Sequence, residues 1–279
     1  MSWSRSKCRP TIWSLGLYGV EIFRGAPTLV ALLLTLGSAV AETRGAEAFS
    51  ASSPRFGDSD PVDWNARPPW SYPVHGLDVA RFQDQIDWRK VRRAGIEFAF
   101  IKATEGGDLL DPRFRDNWRT SRNAGLARGA YHFYYFCTPP EVQARWFIQN
   151  VPRRGKALPP VLDLEWNPFS PTCTRRPPGH EVRRQARVFM DMLERHYGQR
   201  PIIYTTIEFY RETGIGRMNE EFWLRSTAKT LDAAYPGQHW SFWQYTGTGI
   251  VPGVTGDVDI NVYRGSRSDW QRWLNRRYR

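Results

Sequence analysis

Eight short apolar runs constrain the fold of this chain more than any other feature. They span residues 76–80, 97–103, 128–135, 160–165, 201–206, 222–226, 239–246 and 257–263. Each has the length of a strand and is bounded by turn residues or prolines. Helical patterns separate the first five. Residues 88–94 follow a candidate cap at Asp87, and residues 116–124 stop at Gly125. Residues 140–150 and 181–197 are longer, the latter closed by Gly198, and residues 207–213 end near Gly214. Beyond that point strand follows strand with turns and little helix. Alternating β and α elements imply a parallel sheet with right-handed crossovers, and eight strands suggest closure into a barrel. The expected fold class is therefore α/β, a TIM-like barrel whose C-terminal part departs from the regular eightfold pattern.

In such barrels functional groups gather at the C-terminal ends of the strands. Asp78 lies on the first run, Glu105 follows the second, Asp163 and Glu165 end the fourth, and Asp257 and Asp259 lie on the last. Like charges held together cost energy, and function is the usual reason to keep them. Within Asp163-Leu164-Glu165 the two acids are two residues apart, so on a strand they share a face. Mutual repulsion and burial are expected to leave one of them protonated near neutral pH. A proton-bearing carboxyl beside an ionised one is what glycosidic bond cleavage requires. For the tripeptide alone, a capping or salt-bridging pair at a strand exit is the plain alternative.

Four motifs decide further. They are Gly76-Leu77-Asp78-Val79-Ala80-Arg81-Phe82-Gln83, Lys102-Ala103-Thr104-Glu105-Gly106, Gly129-Ala130-Tyr131-His132-Phe133 and Leu162-Asp163-Leu164-Glu165. In this order and spacing the chain resembles the glycoside hydrolase family 25 lysozymes. Trp243-Gln244-Tyr245 and Val258-Asp259-Ile260-Asn261 extend the resemblance to the last two strands. It implies an irregular (β/α)5(β)3 barrel and an N-acetylmuramidase. Such an enzyme hydrolyses the β-1,4 bond between N-acetylmuramic acid and N-acetylglucosamine in peptidoglycan. By motif, Asp78, Asp163 and Glu165 are carried over as the catalytic residues. Glu105, Tyr131, Tyr204, Trp243, Gln244 and Asp259 form the expected substrate-binding set. Glu165 is the expected general acid. Asp163 either orients the substrate's own acetamido group as internal nucleophile or stabilises the oxocarbenium-like transition state. Asp78 could act as base, nucleophile or positioning group. One departure is visible, Asp84 after Gln83, where the family usually has Gly, Pro or Glu. The Pro- and Arg-rich insert at 166–179 lies beside the expected cleft.

Other readings stand beside these. Lys102 precedes Glu105 by three residues, so a structural ion pair competes with a role in binding. Asp259 either functions or ties the barrel closed. Tyr131 and Trp243 stack on sugar or belong to the core. His132 points away from Tyr131 along the strand and reads as a core histidine. Asp87, Asp111 and Asp116 read as caps or turn residues.

The ends and the charge complete the outline. Arg5, Lys7, Arg9 and Arg24 precede an apolar run at 26–37 and then Ser38-Ala39-Val40-Ala41, the pattern of a secretory signal peptide cleaved after Ala41. An uncleaved anchor is the alternative and the one expected route to a membrane. Residues 42–73 read as a linker or flexible arm, and 74–279 as a single barrel domain. The chain carries +11, and losing residues 1–41, with four basic residues and one acid, leaves +8. A basic exported chain suits an anionic surface such as cell-wall polymer. The basic residues are scattered and no nucleic-acid motif occurs. Cys137 and Cys173 remain after cleavage. As an even pair just past neighbouring strands, they are expected to form a disulfide in a periplasmic or extracellular setting. No metal-ligand spacing is present and no cofactor is expected. Peptidoglycan glycan strands are the expected partner, for a monomer. A chitinase-like hydrolase of other N-acetylhexosamine glycans and a non-catalytic wall-binding module are the rivals.

Overall fold

The computed structural model describes residues 56–278 apart from 65 and 154, so the expected signal peptide lies outside the described residues. Eight strands form the barrel: β1 (His75–Val79), β2 (Ile96–Glu105), β3 (Ala127–Phe133), β4 (Val161–Leu164), β5 (Ile202–Thr205), β6 (Phe222–Arg225), β7 (Phe242–Ile250) and β8 (Val258–Tyr263). Neighbours from β1 through to β7 pair in parallel. The barrel closes through β8, which runs antiparallel to both β7 and β1. The inversion of β8 matters for function. Its N-terminal end, not its C-terminal end, sits at the mouth, and the register sets Asp259 opposite Asp78.

Crossover helices α1 (Trp88–Arg93), α2 (Phe114–Asn123), α3 (Pro140–Asn150), α4 (Gly179–Tyr197) and α5 (Ile207–Thr213) follow the first five strands. Their caps are local. Asp87 accepts the Lys90 backbone N–H at 3.0 Å at the start of α1, and Gly198 closes α4 at φ 71°, a conformation glycine reaches without a Cβ clash. One turn, α6 (Leu231–Ala234), lies between β6 and β7, and α7 (Arg267–Arg277) follows β8. Ser266 starts α7 in a capping box with Asp269.

Strand alternation sorts the apolar residues into two layers. Outward residues such as Leu77, Ile101, Leu162 and Leu224 meet the helices. Inward residues Phe98, Phe100, Tyr204, Trp223 and Phe242 fill the barrel, and Trp270 and Trp273 of α7 plug its lower end. Phe100 stacks on Trp223 at 4.5 Å between centroids, and Phe98 meets Trp270 at 5.4 Å. Gly76 makes room for this packing, since a Cβ there would lie 2.2 Å from the Phe98 ring. Gly76→Ala is therefore expected to destabilise the fold by about 1–3 kcal/mol through overpacking. The midpoint of denaturant unfolding checks it, and an unshifted midpoint would refute the close-contact argument.

The last strands carry no full crossover helix, so their outer face would be bare. Residues 56–64 and 66–73, part of the stretch expected as an arm, cover it. Gly57–Asp58 pairs with the end of β7. Trp64 meets Trp243 edge-on at 5.1 Å and Tyr72 meets Trp240 at 5.7 Å. Apolar burial on this otherwise uncovered face accounts for the packing.

Cys137 and Cys173 form a disulfide with Cα atoms 5.7 Å apart. It joins the loop after β3 to the loop after β4, closing 36 residues. Closure of that length stabilises by about 3–4 kcal/mol in the chain-entropy picture. Among the described residues no helix is long and apolar enough to cross a membrane.

Candidate active site

The strand ends converge on a cleft of about 480 Å³ at the barrel mouth. Side-chain parity decides what enters it. Asp163 and Glu165 both project inward at the end of β4, with Leu162 and Leu164 turned to the helices. Asp78 of β1 and Asp259 of β8 complete a set of four carboxyls, and Tyr131 and Tyr204 line the wall.

Two hydrogen-bond relays fix Asp78. Tyr204 donates its hydroxyl to Gln244 Oε1 at 2.9 Å, and Gln244 Nε2 donates to Asp78 Oδ2 at 2.9 Å. Trp223 Nε1 donates to Asn261 Oδ1 at 2.7 Å, and Asn261 Nδ2 donates to the same Asp78 oxygen at 2.7 Å. An indole nitrogen can only donate, so the orientation of the Asn261 amide follows from Trp223. Asp78 thus accepts two N–H bonds on one oxygen, which favours its charged form.

The four carboxyls differ accordingly. Burial pushes Asp78 up to about 6, and the Asn261 and Gln244 amides limit the rise. Burial pushes Glu165 up to about 7, opposed by the charges of Arg225 and Lys102. Burial, with the Asp78 charge behind it, carries Asp259 to about 8. Asp163 is raised well above the carboxylate range by burial and then by the Glu165 charge, and its Oδ1 is buried without a hydrogen-bond partner. Near neutral pH, Asp78 is ionised and Asp259 holds its proton. The cleft therefore contains both a carboxylate and a protonated carboxyl.

Several other residues take places that the sequence alone left open. Glu105 does not line the cleft. A register shift in β2 after Lys102 reverses the alternation, so residues three apart meet, and Lys102 Nζ bonds Glu105 Oε2 at 2.6 Å. Burial would raise the Glu105 carboxyl, but bonds from Lys102 and the Tyr135 hydroxyl hold it below its ordinary value. Lys102 itself lines the cleft. Trp243, expected on the sugar-binding wall, faces outward and is 2 % exposed. Its Nε1 donates to the Ser226 carbonyl at 2.8 Å and its ring packs under Trp64. The reason is parity: Gln244 faces the cleft, so its neighbour cannot. His132 is a core residue, held by Thr104 Oγ1 at 2.8 Å and Gln143 Oε1 at 3.0 Å. Asp111 accepts the backbone N–H of Arg113 and Arg81 at 2.8 and 2.9 Å, holding the turn beside the rim. Asp84 has φ 50°, an uncommon conformation for a residue with a Cβ, and pairs with Arg113.

Trp223 and Arg225 were not singled out by sequence, and Asn261 entered only as the end of the 258–261 motif, with no role given to it. The signal was available for two of them. Asn261 lies two residues from Asp259, and Trp223 lies two residues before the strand-ending Arg225, so each pair shares a face. Trp223 forms part of the cleft wall, and Phe82 stands at its rim, 74 % exposed.

Residues 77–254 match the family model described as glycosyl hydrolases family 25. The uncharacterized protein YegX of Escherichia coli (strain K12) is 39% identical over 214 residues, which cover 75% of this chain and 76% of that protein. Lysozyme M1 of Streptomyces globisporus is 38% identical over 209 residues, 69% of this chain and 68% of that one. The crystal structure of the bacterial lysozyme from Streptomyces coelicolor superposes with a TM-score of 0.65 at 36% identity, covering 73% of this chain and 97% of that one.

Proposed function

This chain belongs to the glycosyl hydrolases of family 25, and we propose that it is an exported 1,4-β-N-acetylmuramidase acting on peptidoglycan. The observation that carries the reading is the mouth of the barrel. There Glu165, raised to about 7, shares a cleft with Asp78, which two amides hold toward its charged form. An acid that keeps its proton beside a carboxylate that has lost one is the pair needed to break a glycosidic bond. The lysozyme names of relatives such as the Streptomyces globisporus protein support peptidoglycan as the substrate. The basic, apolar and small-residue order of residues 1–41 supports export.

In this mechanism Glu165 protonates the leaving glycosidic oxygen as the bond to C1 breaks. The acetamido oxygen of the muramyl residue closes on C1 and carries the positive charge as an oxazolinium ring. The unpartnered Oδ1 of Asp163 accepts the acetamido N–H and holds the group in place. The carboxylate of Asp78 stabilises the positive charge across the cleft. Water then attacks C1, and Glu165 takes back a proton. Asp163 and Glu165 project from one strand toward one side, which favours assistance by the substrate over a displacement between these two acids.

Muropeptide analysis tests the reading. Purified wall is digested, the new reducing ends are reduced with borohydride, and the products are weighed. Muramitol ends are expected. Glucosaminitol ends would refute the bond assignment, and cleavage of chitin alone would favour the chitinase-like rival. Tight wall binding with no release would leave only a binding module.

A further inference from the structure

Arg225 ends β6 and lines the cleft. Lys102 is the other cation in the lining, and its ammonium is engaged by Glu105 at 2.6 Å. Among the described residues, the Arg225 guanidinium makes no ion pair and no hydrogen bond. It lines the same cleft as Asp78, Glu165 and Asp259 and is hydrogen-bonded to none of them. A guanidinium offers five N–H donors in a planar fork matched to a carboxylate. Left unpaired at the edge of an acidic cleft, this fork is free for a ligand.

The substrate class narrows what that ligand is. A chain of N-acetylhexosamines is neutral except on the lactyl arm of the muramyl residue. That arm ends in a carboxylate when no peptide is attached, and in the carboxylates of the stem peptide when one is. We propose that Arg225 forms a carboxylate-receiving subsite that selects muramyl residues by the negative charge on their lactyl arm. The proposal rests on the muramidase reading above. It also explains how an anionic glycan enters a cleft that holds the ionised Asp78, because the unpaired cation offsets the repulsion.

Three glycan substrates of matched length test it: peptide-free strands with the lactyl carboxylate exposed, the same strands with that carboxylate converted to a methylamide, and strands bearing their stem peptides. A charge-assisted bidentate contact corresponds to roughly 10–100-fold in kcat/KM. The wild-type enzyme is expected to prefer a charged substrate over the methylamide by that factor. Preference for the peptide-free strands identifies the lactyl carboxylate as the ligand, and preference for the peptide-bearing strands identifies the stem. In Arg225→Gln the preference is expected to fall to near unity. Arg225→Lys should keep part of it, because the charge remains and the fork is lost.

A wild-type enzyme that cuts all three substrates equally overturns the subsite, and this measurement needs no variant to fold. So does an Arg225→Gln enzyme that loses rate on all three in the same proportion with a displaced pH profile, since the arginine would then only be balancing the cleft's own charge. A wild-type enzyme that cuts none of the three overturns the muramidase reading itself, a distinct outcome.

Discussion

Glu165→Gln is expected to lower kcat/KM on purified peptidoglycan by roughly 10²–10⁴-fold, the usual worth of a positioned general acid, while circular dichroism stays unchanged. The amide keeps the shape of the side chain but has no acidic proton for the leaving oxygen. Stability should move the other way. Burial raises the Glu165 carboxyl in the folded chain to about 7 from an ordinary 4.5, so the folded state holds this proton more tightly than the unfolded one. Its contribution is therefore fully present below about pH 4.5 and is lost as the pH rises through about 7. At pH 8 the Gln variant, which has nothing to ionise there, should melt at or above the wild-type temperature, and the gap should close toward pH 5. A catalytic group kept at a cost in stability behaves in this way. Retention of most of the wild-type rate by a folded Glu165→Gln protein would remove Glu165 from the role of acid.

What the sequence conveyed and what it hid follow from one rule, the alternation of side chains along a strand. Where the strands are regular the rule worked. Asp163 and Glu165 share a face because they are two apart, and all eight expected strands are present. It failed where a local irregularity resets the parity. Glu105 turns to Lys102 because of the register shift after Lys102, which makes the ion pair offered as the alternative the one that forms, although nothing in the Lys-Ala-Thr-Glu run announces the bulge itself. Trp243 takes the core position, the alternative to stacking on sugar, for a different reason. Gln244 and Trp243 were both expected in the cleft, although neighbours on a strand cannot both enter it. Strand direction was also hidden. Asp259 reaches the mouth because β8 is inverted, a property of the closed sheet that no local pattern carries. The cover supplied by residues 56–64 and 66–73 was hidden by their loop-like composition. Their Trp and Tyr side chains find apolar partners only once the last strands stand without helices.

Asp78→Asn is expected to cost roughly 10²–10³-fold in kcat/KM, the range for losing one preorganised electrostatic contact to a transition state. The pH profile distinguishes this loss from a mere change of shape. In the proposed mechanism the carboxylate must be ionised and the acid protonated. Asp78 rises to about 6 and Glu165 to about 7, so activity should fall below about pH 6 and above about pH 7, with a narrow optimum between. The limbs belong to a cluster of interacting carboxyls, and each is assigned by removing one group at a time. Asp78→Asn takes away the group whose ionisation sets the acid side, so its residual activity should be flat toward low pH and should still fall on the alkaline side. Asp259→Asn provides the contrast. Asp259, raised to about 8, is already neutral at the optimum, so an amide resembles its working form and the loss should be far smaller. The relays predict one thing more. Gln244→Leu removes one of the two donors to Asp78 Oδ2, which makes the charged form harder to reach and should move the acid limb upward in pH. An acid limb that stays in place in Asp78→Asn would remove Asp78 from the role of the anion.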